Sequence, residues 1–542
     1  MRIAMLNWPM VFGGARKGGI AGYMQALALE LTARGHRVST IASGTTYIPA
    51  QRSKTLRKNK SGRKNRPGPC AARRHADWFG IGVYEIVNSP VLAPSLLQLN
   101  GPMAEVSSPA LEAVFEDVLR DIRPDVLHVQ SMEGFSLGCL DAARRHGCRV
   151  VYSLHNYHPL CPQVYLMQGH RTVCTDYDGG RACQGCVPAP DPERERGRRA
   201  EAHPDEPPPF EPPPPKDQPE PMRVPLPVLP VELGEAPPTI DPADDPRGMS
   251  ALLRSWHEPR RWCIPEDPTW QPFDNVPGAE PLHSGTPTDY STRRAAFIEQ
   301  LNRCDAVHAV SSFVAGKFVA HGVRPERVKT ITIGTIANHL REHNAELAFD
   351  PPPRRSVDAR PLRLVFVGVN HWYKGLSMLA DSLEMMTPDT LSRVALSVFA
   401  AGGKTIEYRF RRLEPRLASL RYGYEYGPQD LPWMCGGMDV GVVPSVWWDN
   451  GPQTVIEMQA SGLPVIGAEA GGIPDFVQHE VNGLLFTGND RFALAAAIAR
   501  CVNEPAMVGR LRSNVRPPKT MAAHTLEMEP LYMEQSATGG VS

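Results

Sequence analysis

The sequence lacks several features that would place it in a common functional class. It has no run of about eighteen apolar residues, so no transmembrane helix is expected. Neither sign of charge predominates, with 58 Lys and Arg against 58 Asp and Glu, which argues against a general nucleic-acid binder. A G-x-G-x-x-G fingerprint is missing after the first predicted strand, which disfavours a dinucleotide-dependent oxidoreductase.

Cysteine is infrequent and odd in number, with 11 in 542 residues. The chain opens with an apolar stretch at residues 2–6 followed by glycines, which we interpret as a first strand and not as a signal peptide. We therefore expect a cytoplasmic protein with reduced thiols or metal ligands, and not a disulfide framework. A chain of this length exceeds what one hydrophobic core usually supports, so two domains are expected.

Strands and helices are predicted to alternate over the first 185 residues or so, as in a Rossmann-like domain. Strand candidates lie at residues 2–6, 37–42, 124–129 and 149–155. The first amphipathic helix is predicted at about residues 21–33. Gly18 and Gly19 precede that helix, and their N–H groups are expected to approach a phosphate or a sugar closely.

The composition changes abruptly between residues 187 and 290. Roughly half of the 55 prolines fall in this fifth of the chain, including the run at residues 207–215. We expect a disordered or polyproline II insert, either a plain surface insertion or a ligand for a partner protein. Trp256, Trp262 and Trp270 indicate that part of the insert packs against the rest of the protein, in a position over the cleft.

Order is predicted to resume with a helix at residues 293–303 and strands at 306–312 and 328–334. A proline-rich stretch follows and is interpreted as a linker. We divide the chain into an N-terminal domain at residues 1–335, a linker at 336–361, a second α/β domain at 362–505 and a partly helical tail at 506–542.

The most informative segment is residues 444–457. Residues 439–443 form an apolar run suited to a buried parallel strand, and Pro452 is predicted to be the first residue of a helix. Ligands of doubly wound sheets bind outside the carboxyl ends of the strands, so N–H groups at this helix start would hold a phosphate without a metal ion. Those groups belong to Asn450, Gly451, Gln453 and Thr454. Glu457 lies about one and a half turns further on and is suited to accept hydrogen bonds from a ribose.

Two acidic residues in this segment, Asp449 and Glu457, are separated by seven others just after a Pro-Ser pair. The pattern resembles the E-x7-E motif of the family 4 retaining glycosyltransferases, which have the GT-B fold of two Rossmann-like domains facing a central cleft. The resemblance implies that Glu457 binds the ribose of the nucleotide. It also implies that Asp449, one methylene shorter than the usual Glu, lies beside the donor sugar. The residues alone leave open that Asp449 and Asn450 only cap the helix.

The same resemblance assigns residues in other parts of the chain. Lys374 takes the place of the phosphate-binding lysine, and His155 takes the place of the active-site histidine that hydrogen-bonds the donor sugar. His128, also at a strand end, is a second choice for this role. The arginine that the family usually carries near the phosphate lysine is replaced here by Val369 and Asn370.

A second glycine turn, Gly471-Gly472, is expected to contribute to the donor site, and Asp475 supplies the acid that family members carry after it. Arg16 or Lys17, in the first glycine-rich loop, is the predicted substitute for the missing phosphate contact.

Four cysteines follow His155 within about thirty residues, and the last two form a C-x2-C pair. They are Cys161, Cys174, Cys183 and Cys186. Four soft ligands in a short loop suit a structural tetrahedral zinc ion or a [4Fe–4S] cluster. Reduced thiols and surface disulfides are the alternatives.

The implied activity is transfer of a hexosyl unit, with retention, from a nucleotide-diphosphate sugar to a glycan, lipid-linked or small-molecule acceptor, with no obligatory cofactor. A basic run at residues 52–74 is interpreted as a solvated loop, or as a peripheral contact with the inner face of a membrane. The rival functions are a sugar-nucleotide 2-epimerase and a non-catalytic GT-B scaffold in carbohydrate assembly. Glycoside hydrolysis is disfavoured because the paired acids lie in a nucleotide-type βαβ unit.

Overall fold

The described part of the chain forms two α/β domains, each built on a mostly parallel sheet. The computed structural model describes residues 1–12, 18–50, 67–202, 272–278, 287–335, 361–424 and 430–533. Within these ranges no helix is both long enough and apolar enough to cross a bilayer.

The first domain combines an eight-stranded sheet with a small two-stranded one. Its strands are β1 (Arg2–Leu6), β2 (Arg37–Ser43), β3 (Ala71–Trp78), β4 (Ile81–Val87), β5 (Val126–Val129), β6 (Arg149–Leu154), β7 (Met167–Gln168), β8 (Thr172–Val173), β9 (Ala306–Ala309) and β10 (Val328–Thr330). Its helices are α1 (Gly18–Ala33), α2 (Pro109–Ile122), α3 (Gly138–Arg145), α4 (Pro192–Ala202), α5 (Asp289–Arg303) and α6 (Ser312–Ala320). The large sheet has the order β10-β9-β6-β5-β1-β2-β4-β3, and only β3 runs antiparallel to its neighbour.

The second domain has one six-stranded parallel sheet. Its strands are β11 (Leu362–Val369), β12 (Val394–Ala401), β13 (Ser419–Gly423), β14 (Val440–Val443), β15 (Val465–Glu469) and β16 (Gly483–Thr487). The helices from there on are α7 (Leu376–Glu384), α8 (Pro388–Leu391), α9 (Glu407–Leu413), α10 (Leu431–Cys435), α11 (Gln453–Ala460), α12 (Arg491–Asn503), α13 (Pro505–Ser513) and α14 (Met521–Met533). The strand order is β13-β12-β11-β14-β15-β16.

The sequence patterns explain these elements directly. β1 and β11 are nearly continuous apolar runs, as expected for parallel strands that are covered on both faces by helices. α2 begins with Pro109, which needs no N–H partner in the first turn, and buries Leu111, Phe115 and Val118 on one face. It ends where Arg123 takes a left-handed conformation with φ of 49°.

The strand orders locate the ligand crevices. Chain order reverses between β1 and β5 in the first sheet and between β11 and β14 in the second. In open α/β sheets a crevice forms at such a point, outside the carboxyl ends of the strands. The loops after β11 and β14 contain Lys374 and Asp449, and the loops after β5 and β6 contain Gln130 and His155. The topology therefore gathers four polar side chains at two sheet edges.

Helix α14 lies back against the first domain. Arg34, directly after α1, makes two hydrogen bonds to the carboxylate of Glu529, at 2.7 and 2.8 Å. Arg149 Nε donates to the main-chain oxygen of Leu531 at 2.7 Å. These charge-assisted hydrogen bonds hold α14, at the end of the described residues, against the first domain.

Part of the proline-rich insert is ordered, which corrects the expectation for residues 187–290. Helix α4 lies inside that range, and Arg199 Nη1 and Nη2 donate at 3.1 Å to the main-chain oxygens of Gly44 and Ala93. The proline run and the three tryptophans of the insert lie outside the described residues, as do residues 336–360 of the predicted linker. The first part of the insert is therefore helical and bonded to the first domain.

A second ordered piece of the insert, residues 272–278, contacts both domains, and we call it the interdomain strap. The side-chain amide of Asn275 bonds both main-chain groups of Gly471, at 2.6 and 3.0 Å. On the other side, Lys317 Nζ of α6 donates to the main-chain oxygen of Gly278 at 3.0 Å. Part of the insert thus packs between the domains, as expected for a segment that lies over a cleft.

Two local expectations were wrong. The paired glycines Gly18 and Gly19 form the first turn of α1 and not the loop before it. The basic run predicted as a solvated loop at residues 52–74 includes the start of β3, which pairs with the buried β4. A register set by the neighbouring strand overrides the local charge pattern there. Residues 51–66 lie outside the described ranges.

A buried arginine anchors the loop that follows β6. Arg293 of α5 forms an ion pair with Glu105, and both side chains are almost wholly inaccessible. Its Nη2 also donates to the main-chain oxygen of His158 at 2.8 Å. Burial acts to raise the pKa of Glu105, but the charges of Arg293 and His158 outweigh it and the pKa is lowered. The loop after His155 is therefore held by a fully desolvated charge network.

Replacing Arg293 with Ala should destabilise the first domain by roughly 3–5 kcal/mol, because Glu105 would be left as an uncompensated buried charge. Urea denaturation of the full chain measures the change. The matched control is Arg303→Ala, in the same helix, whose ion pair with Asp141 is 2.9 Å long and partly exposed. That variant should lose less than about 1 kcal/mol. Equal losses in the two variants would contradict the assigned role of the buried pair.

Candidate functional site

The segment after β14 lies buried between the two domains. Ser445, Asp449 and Asn450 are each at most 5% exposed. The side-chain amide of Asn450 donates to the main-chain oxygen of His155, at the end of β6, over 2.9 Å. At Gly451 a Cβ atom would already lie 3.3 Å from Val310 of the first domain. The predicted donor segment and the predicted active-site histidine are therefore in direct contact.

Lys374 and Asp449 form an ion pair at the carboxyl edge of the second sheet. Lys374 Nζ lies 3.2 Å from Asp449 Oδ2, and Ser445 Oγ donates to the same oxygen at 3.2 Å. Burial acts to lower the pKa of Lys374, but the negative charge of Asp449 outweighs it and the pKa is raised. The ammonium group is thus kept charged in a largely desolvated place, where its field is strong.

The loops that carry this pair are fitted closely to one another. Gly375, directly after the lysine, has φ of 73°, and a Cβ there would lie 1.6 Å from the main-chain oxygen of Pro444. Val446 N donates to the main-chain oxygen of Tyr373 at 3.0 Å. Only glycine allows both this left-handed conformation and this approach, so Gly375 determines where Lys374 stands.

Glu457 lies on α11, half-buried near Lys374. Burial raises the pKa of Glu457 to about 7, and the charge of Lys374 offsets this only in part. The helix begins at Gln453, one residue later than predicted, with Pro452 as the N-cap. Gln453 Nε2 donates to the main-chain oxygen of Gly19 at 3.0 Å. The starts of α11 and α1 therefore meet across the cleft, as a ligand held by both domains would require.

His155, which is partly exposed, packs with three fully buried imidazoles, and we call the four residues the histidine cluster: His128, His155, His308 and His524. The ring of His155 packs on Tyr23 of α1 with centroids 4.6 Å apart, and its Nε2 lies 2.7 Å from Gln130 Oε1. Burial, and then the neighbouring rings, lower the pKa of His155 and of His128 well below the usual range. The pKa falls to about 4 for His308 and about 3 for His524, again chiefly through burial.

The second-choice histidine, His128, is fully buried behind His155 and does not reach the cleft surface. Gln130, His308 and His524 were missed by the sequence analysis. Gln130 and His308 lie at or near strand ends, a signal that could have identified them. His524 belongs to α14, and no local pattern connects it with a strand end some two hundred residues earlier.

The second glycine turn, Gly471-Gly472, uses both of its N–H groups in hydrogen bonds within the protein. Gly471 N donates to Asn275 Oδ1 at 2.6 Å, and Gly472 N donates to the main-chain oxygen of Asp449 at 2.6 Å. A Cβ on Gly471 would lie 2.0 Å from that same oxygen. Both N–H groups are thus used inside the protein, and the glycines allow the chain to pack against Asp449 and Asn450. The contribution of this turn to donor binding stays a prediction.

Asp475 joins the two domains and does not face the predicted donor segment. Its carboxylate accepts hydrogen bonds from Ser312 N and Ser312 Oγ, both at 2.6 Å, at the start of α6. A carboxylate is favoured at a helix N-terminus by the helix dipole. Arg16 and Lys17, the predicted substitutes for the missing arginine, lie outside the described residues.

The predicted metal site in the loop after His155 is not formed. Across the described ranges, no three His, Cys, Asp or Glu side chains converge as ligands of one ion. Instead the loop carries four thiols that are not joined in disulfides, Cys161, Cys174, Cys183 and Cys186. Cys186 accepts a hydrogen bond from the N–H of Gly169 at 3.3 Å, and burial raises the pKa of Cys183 to about 12. A local hydrogen bond therefore positions Cys186, and burial favours the neutral thiol of Cys183.

Two family models match the chain, and together they cover more than half of it. The model described as Glycosyl transferase 4-like domain matches residues 18–202, and the model described as Glycosyl transferases group 1 matches residues 361–504. Two curated D-inositol 3-phosphate glycosyltransferases, from Saccharomonospora viridis and Thermomonospora curvata, are 27% and 28% identical over 272 and 282 residues. The alignments cover 48% and 49% of this chain, and 62% and 64% of those relatives, so less than two thirds of their length.

Solved structures of low sequence identity share the fold. Sucrose-phosphate synthase from Thermosynechococcus elongatus superposes with a TM-score of 0.53 at 14% identity, over 98% of both chains. The α,α-trehalose 6-phosphate synthase from Burkholderia multivorans gives a TM-score of 0.50 at 12% identity, over 98% of this chain and 97% of the other. The predicted GT-B fold of two Rossmann-like domains is confirmed. The chain carries a glycosyl transferase 4-like domain followed by a glycosyl transferases group 1 domain.

The histidine cluster should make the protein sensitive to mild acid. Below a pH of about 6.5 these imidazoles become protonated in the unfolded chain but stay neutral in the folded protein. The free energy of unfolding therefore falls as the pH falls. For His308 this window closes near its folded pKa of about 4. Each such histidine contributes about 1.4 kcal/mol per pH unit inside its window.

The measurement is urea denaturation of wild type and His308→Gln at several pH values between 7.5 and 5. The variant should lose stability less steeply with acid. His479→Gln is the control, because the side chain of His479 is half exposed. An unchanged slope in His308→Gln would contradict burial of a neutral His308.

Proposed function

We propose that the chain is a retaining glycosyltransferase that moves a hexosyl unit from a nucleotide-diphosphate sugar to a glycan, lipid or small-molecule acceptor, without an obligatory divalent ion. One observation carries the proposal. The acid pair Asp449 and Glu457, the lysine Lys374 and the histidine His155 come from distant parts of the chain and lie together between the domains. Retention of configuration rests on the resemblance of the acid pair to the family 4 motif.

Lys374 is suited to stabilise the leaving group. In the transfer, the bond between the anomeric carbon and the diphosphate oxygen breaks and its electrons remain on the diphosphate. The acceptor oxygen bonds the same carbon, and its proton passes to the departing diphosphate. A preorganised cation is most effective where that negative charge develops. In the free protein Asp449 holds the ammonium in place at 3.2 Å. A phosphate oxygen would become its additional partner, while Asp449 remains beside the sugar.

Glu457 is suited to bind the ribose. Its carboxylate can accept two hydrogen bonds from the ribose hydroxyl groups, and it lies four residues after the first residue of α11. The helix start would then hold the diphosphate through Asn450, Gly451, Gln453 and Thr454. This arrangement requires no metal ion, because the positive end of the helix dipole and Lys374 supply the positive charge.

The acceptor is left as a class. The curated relatives are named for D-inositol 3-phosphate, a phosphorylated polyol, and from that name we take only the class, a hydroxylated acceptor. Incubation with a nucleotide sugar alone separates the proposal from a 2-epimerase, which would convert the donor without an acceptor. A non-catalytic scaffold would give no transfer with any acceptor.

Nucleotide binding should depend on pH through Glu457. The carboxylate form binds the ribose, and burial holds its pKa at about 7 in the free protein. Binding therefore releases a proton below pH 7, and the affinity should increase up to tenfold per pH unit between pH 5 and 7, then level off. Calorimetric titration with a nucleoside diphosphate, in buffers of different ionisation enthalpy, measures both the affinity and the released proton.

Glu457→Gln should weaken binding by roughly tenfold or more and abolish this dependence, since a hydrogen bond to a charged acceptor contributes about 1.5–3 kcal/mol. Gln459→Glu, in the same helix but bonded to the main chain of Phe476 at 2.7 Å, is the control that keeps Glu457. Unchanged affinity in Glu457→Gln would refute the ribose assignment.

Replacing Lys374 with Met should lower kcat about 100- to 1000-fold, the usual loss when one preorganised group that stabilises a developing negative charge is removed. The KM for the donor should change much less, since the helix start still holds the diphosphate. Steady-state assays of transfer measure both constants. Lys329→Met, at an exposed lysine of β10, is the matched control and should resemble wild type. Comparable kcat in both variants would exclude leaving-group stabilisation by Lys374.

A further inference from the structure

A continuous chain of hydrogen bonds connects the imidazole of His155 with the main chain of the first domain. From the cleft inward, His155 Nε2 lies 2.7 Å from Gln130 Oε1, and Gln130 Nε2 lies 3.0 Å from His128 Nδ1. His128 Nε2 lies 2.7 Å from Ser153 Oγ, which in turn lies 2.8 Å from His308 Nδ1. His308 Nε2 ends the chain at the main-chain oxygen of Ile331, over 2.7 Å. The last of these groups, a carbonyl oxygen, can only accept a hydrogen bond.

That single carbonyl fixes the direction of the inner bonds. His308 Nε2 must carry the proton that is donated to Ile331 O, so the Nδ1 of a neutral His308 is an acceptor. Ser153 Oγ then donates its only proton to His308 Nδ1. Its oxygen is left to accept from His128 Nε2, which must therefore be protonated.

The outer bonds follow from the same rule. With its proton on Nε2, neutral His128 presents Nδ1 as an acceptor, and Gln130 Nε2 and the Tyr532 hydroxyl donate to it at 3.0 and 2.9 Å. The amide of Gln130 is thereby oriented with Oε1 toward His155, and an amide oxygen only accepts. His155 Nε2 must be the donor, so Nδ1 of a neutral His155 carries a lone pair.

The charged and polar groups around the histidine cluster favour neutral imidazole rings. His524, from α14, donates through Nδ1 to Thr332 O at 3.0 Å and therefore accepts the Tyr23 hydroxyl proton at Nε2. Lys519 adds a positive charge on the same side and lowers the pKa of His308 and His524 further. Glu133, on the loop after β5, accepts instead from Asn156 Nδ2 at 3.2 Å and from Ser95 N at 2.8 Å.

We propose that Gln130 is a positioning residue that fixes His155 as a neutral imidazole with an unprotonated Nδ1, so that His155 accepts a hydrogen bond from a hydroxyl group of the donor sugar. The sugar part of this inference rests on the proposed function, whereas the tautomer of His155 does not. An acceptor at this position selects donor sugars with a free hydroxyl there. A sugar that lacks the hydroxyl, or carries it as a methyl ether, would leave Nδ1 without its donor.

The tautomer can be read from the free wild-type protein by solid-state ¹⁵N spectra of histidine-labelled samples, with His155 assigned by comparison with His155→Gln. We expect a protonated Nε2 and an unprotonated Nδ1 for His155 at neutral pH. A proton on Nδ1, or a charged ring, would overturn the inference even if transfer activity is found. This measurement needs no variant of Gln130 and no substrate.

The variant Gln130→Glu tests the positioning role. An ionised carboxylate at position 130 can only accept hydrogen bonds, from His155 Nε2 and from His128, so His128 must carry a proton on Nδ1. The added negative charge also raises the pKa of His155. We expect kcat/KM of the variant to fall at least tenfold at pH 6 and to recover as the pH rises toward 8, while wild type stays flat over this range after correction for donor binding.

The control is Gln300→Glu, another buried glutamine of the first domain, which bonds Arg144 and Asp141 away from the cleft. It should keep the wild-type pH profile. An identical profile in Gln130→Glu and wild type would overturn the positioning role. If no donor is turned over by wild type, the proposed function fails while the ¹⁵N result still decides the tautomer.

Discussion

The site depends most on one hydrogen bond between the domains, from the side-chain amide of Asn450 to the main-chain oxygen of His155, at 2.9 Å. Each partner belongs to a loop at the carboxyl edge of its own sheet, where a doubly wound fold presents its ligand-binding groups. The bond sets the helix start of α11 against the end of β6. Gln453 reaching Gly19, and Asp475 reaching Ser312, keep the two edges together on either side of it.

Burial at this junction between the domains determines the pKa values of its titratable groups. The same burial raises the pKa of Glu457 and lowers those of the histidine cluster, whereas for Lys374 the charge of Asp449 is the largest of the effects that outweigh burial and raise its pKa. A desolvated cation and an acid poised near neutrality suit a site that must receive a dianionic leaving group and release it again. The interdomain strap covers one flank of the junction through Asn275.

Most of the fold could be predicted because parallel strands are short apolar runs ending in polar residues, and glycines and prolines mark the turns between them. The acid pair, Lys374 and His155 were predicted from the resemblance to the family 4 pattern, and these residues lie together between the domains, while their roles stay predictions. His524 and the strap were not, because they reach the site from helix α14 and from within a proline-rich insert. The four cysteines were predicted as metal ligands from their spacing in sequence, but within the described residues no three ligand side chains are arranged to hold one ion.

The central claim is that the interdomain cleft holds a nucleotide by its ribose and diphosphate. A crystal structure of the protein with a bound nucleoside diphosphate tests it most directly. The account predicts ribose hydroxyl groups within hydrogen-bond distance of the Glu457 carboxylate, and the terminal phosphate against Lys374 Nζ and the start of α11. A nucleotide bound with its ribose away from Glu457, or outside the cleft between the two sheet edges, would contradict it.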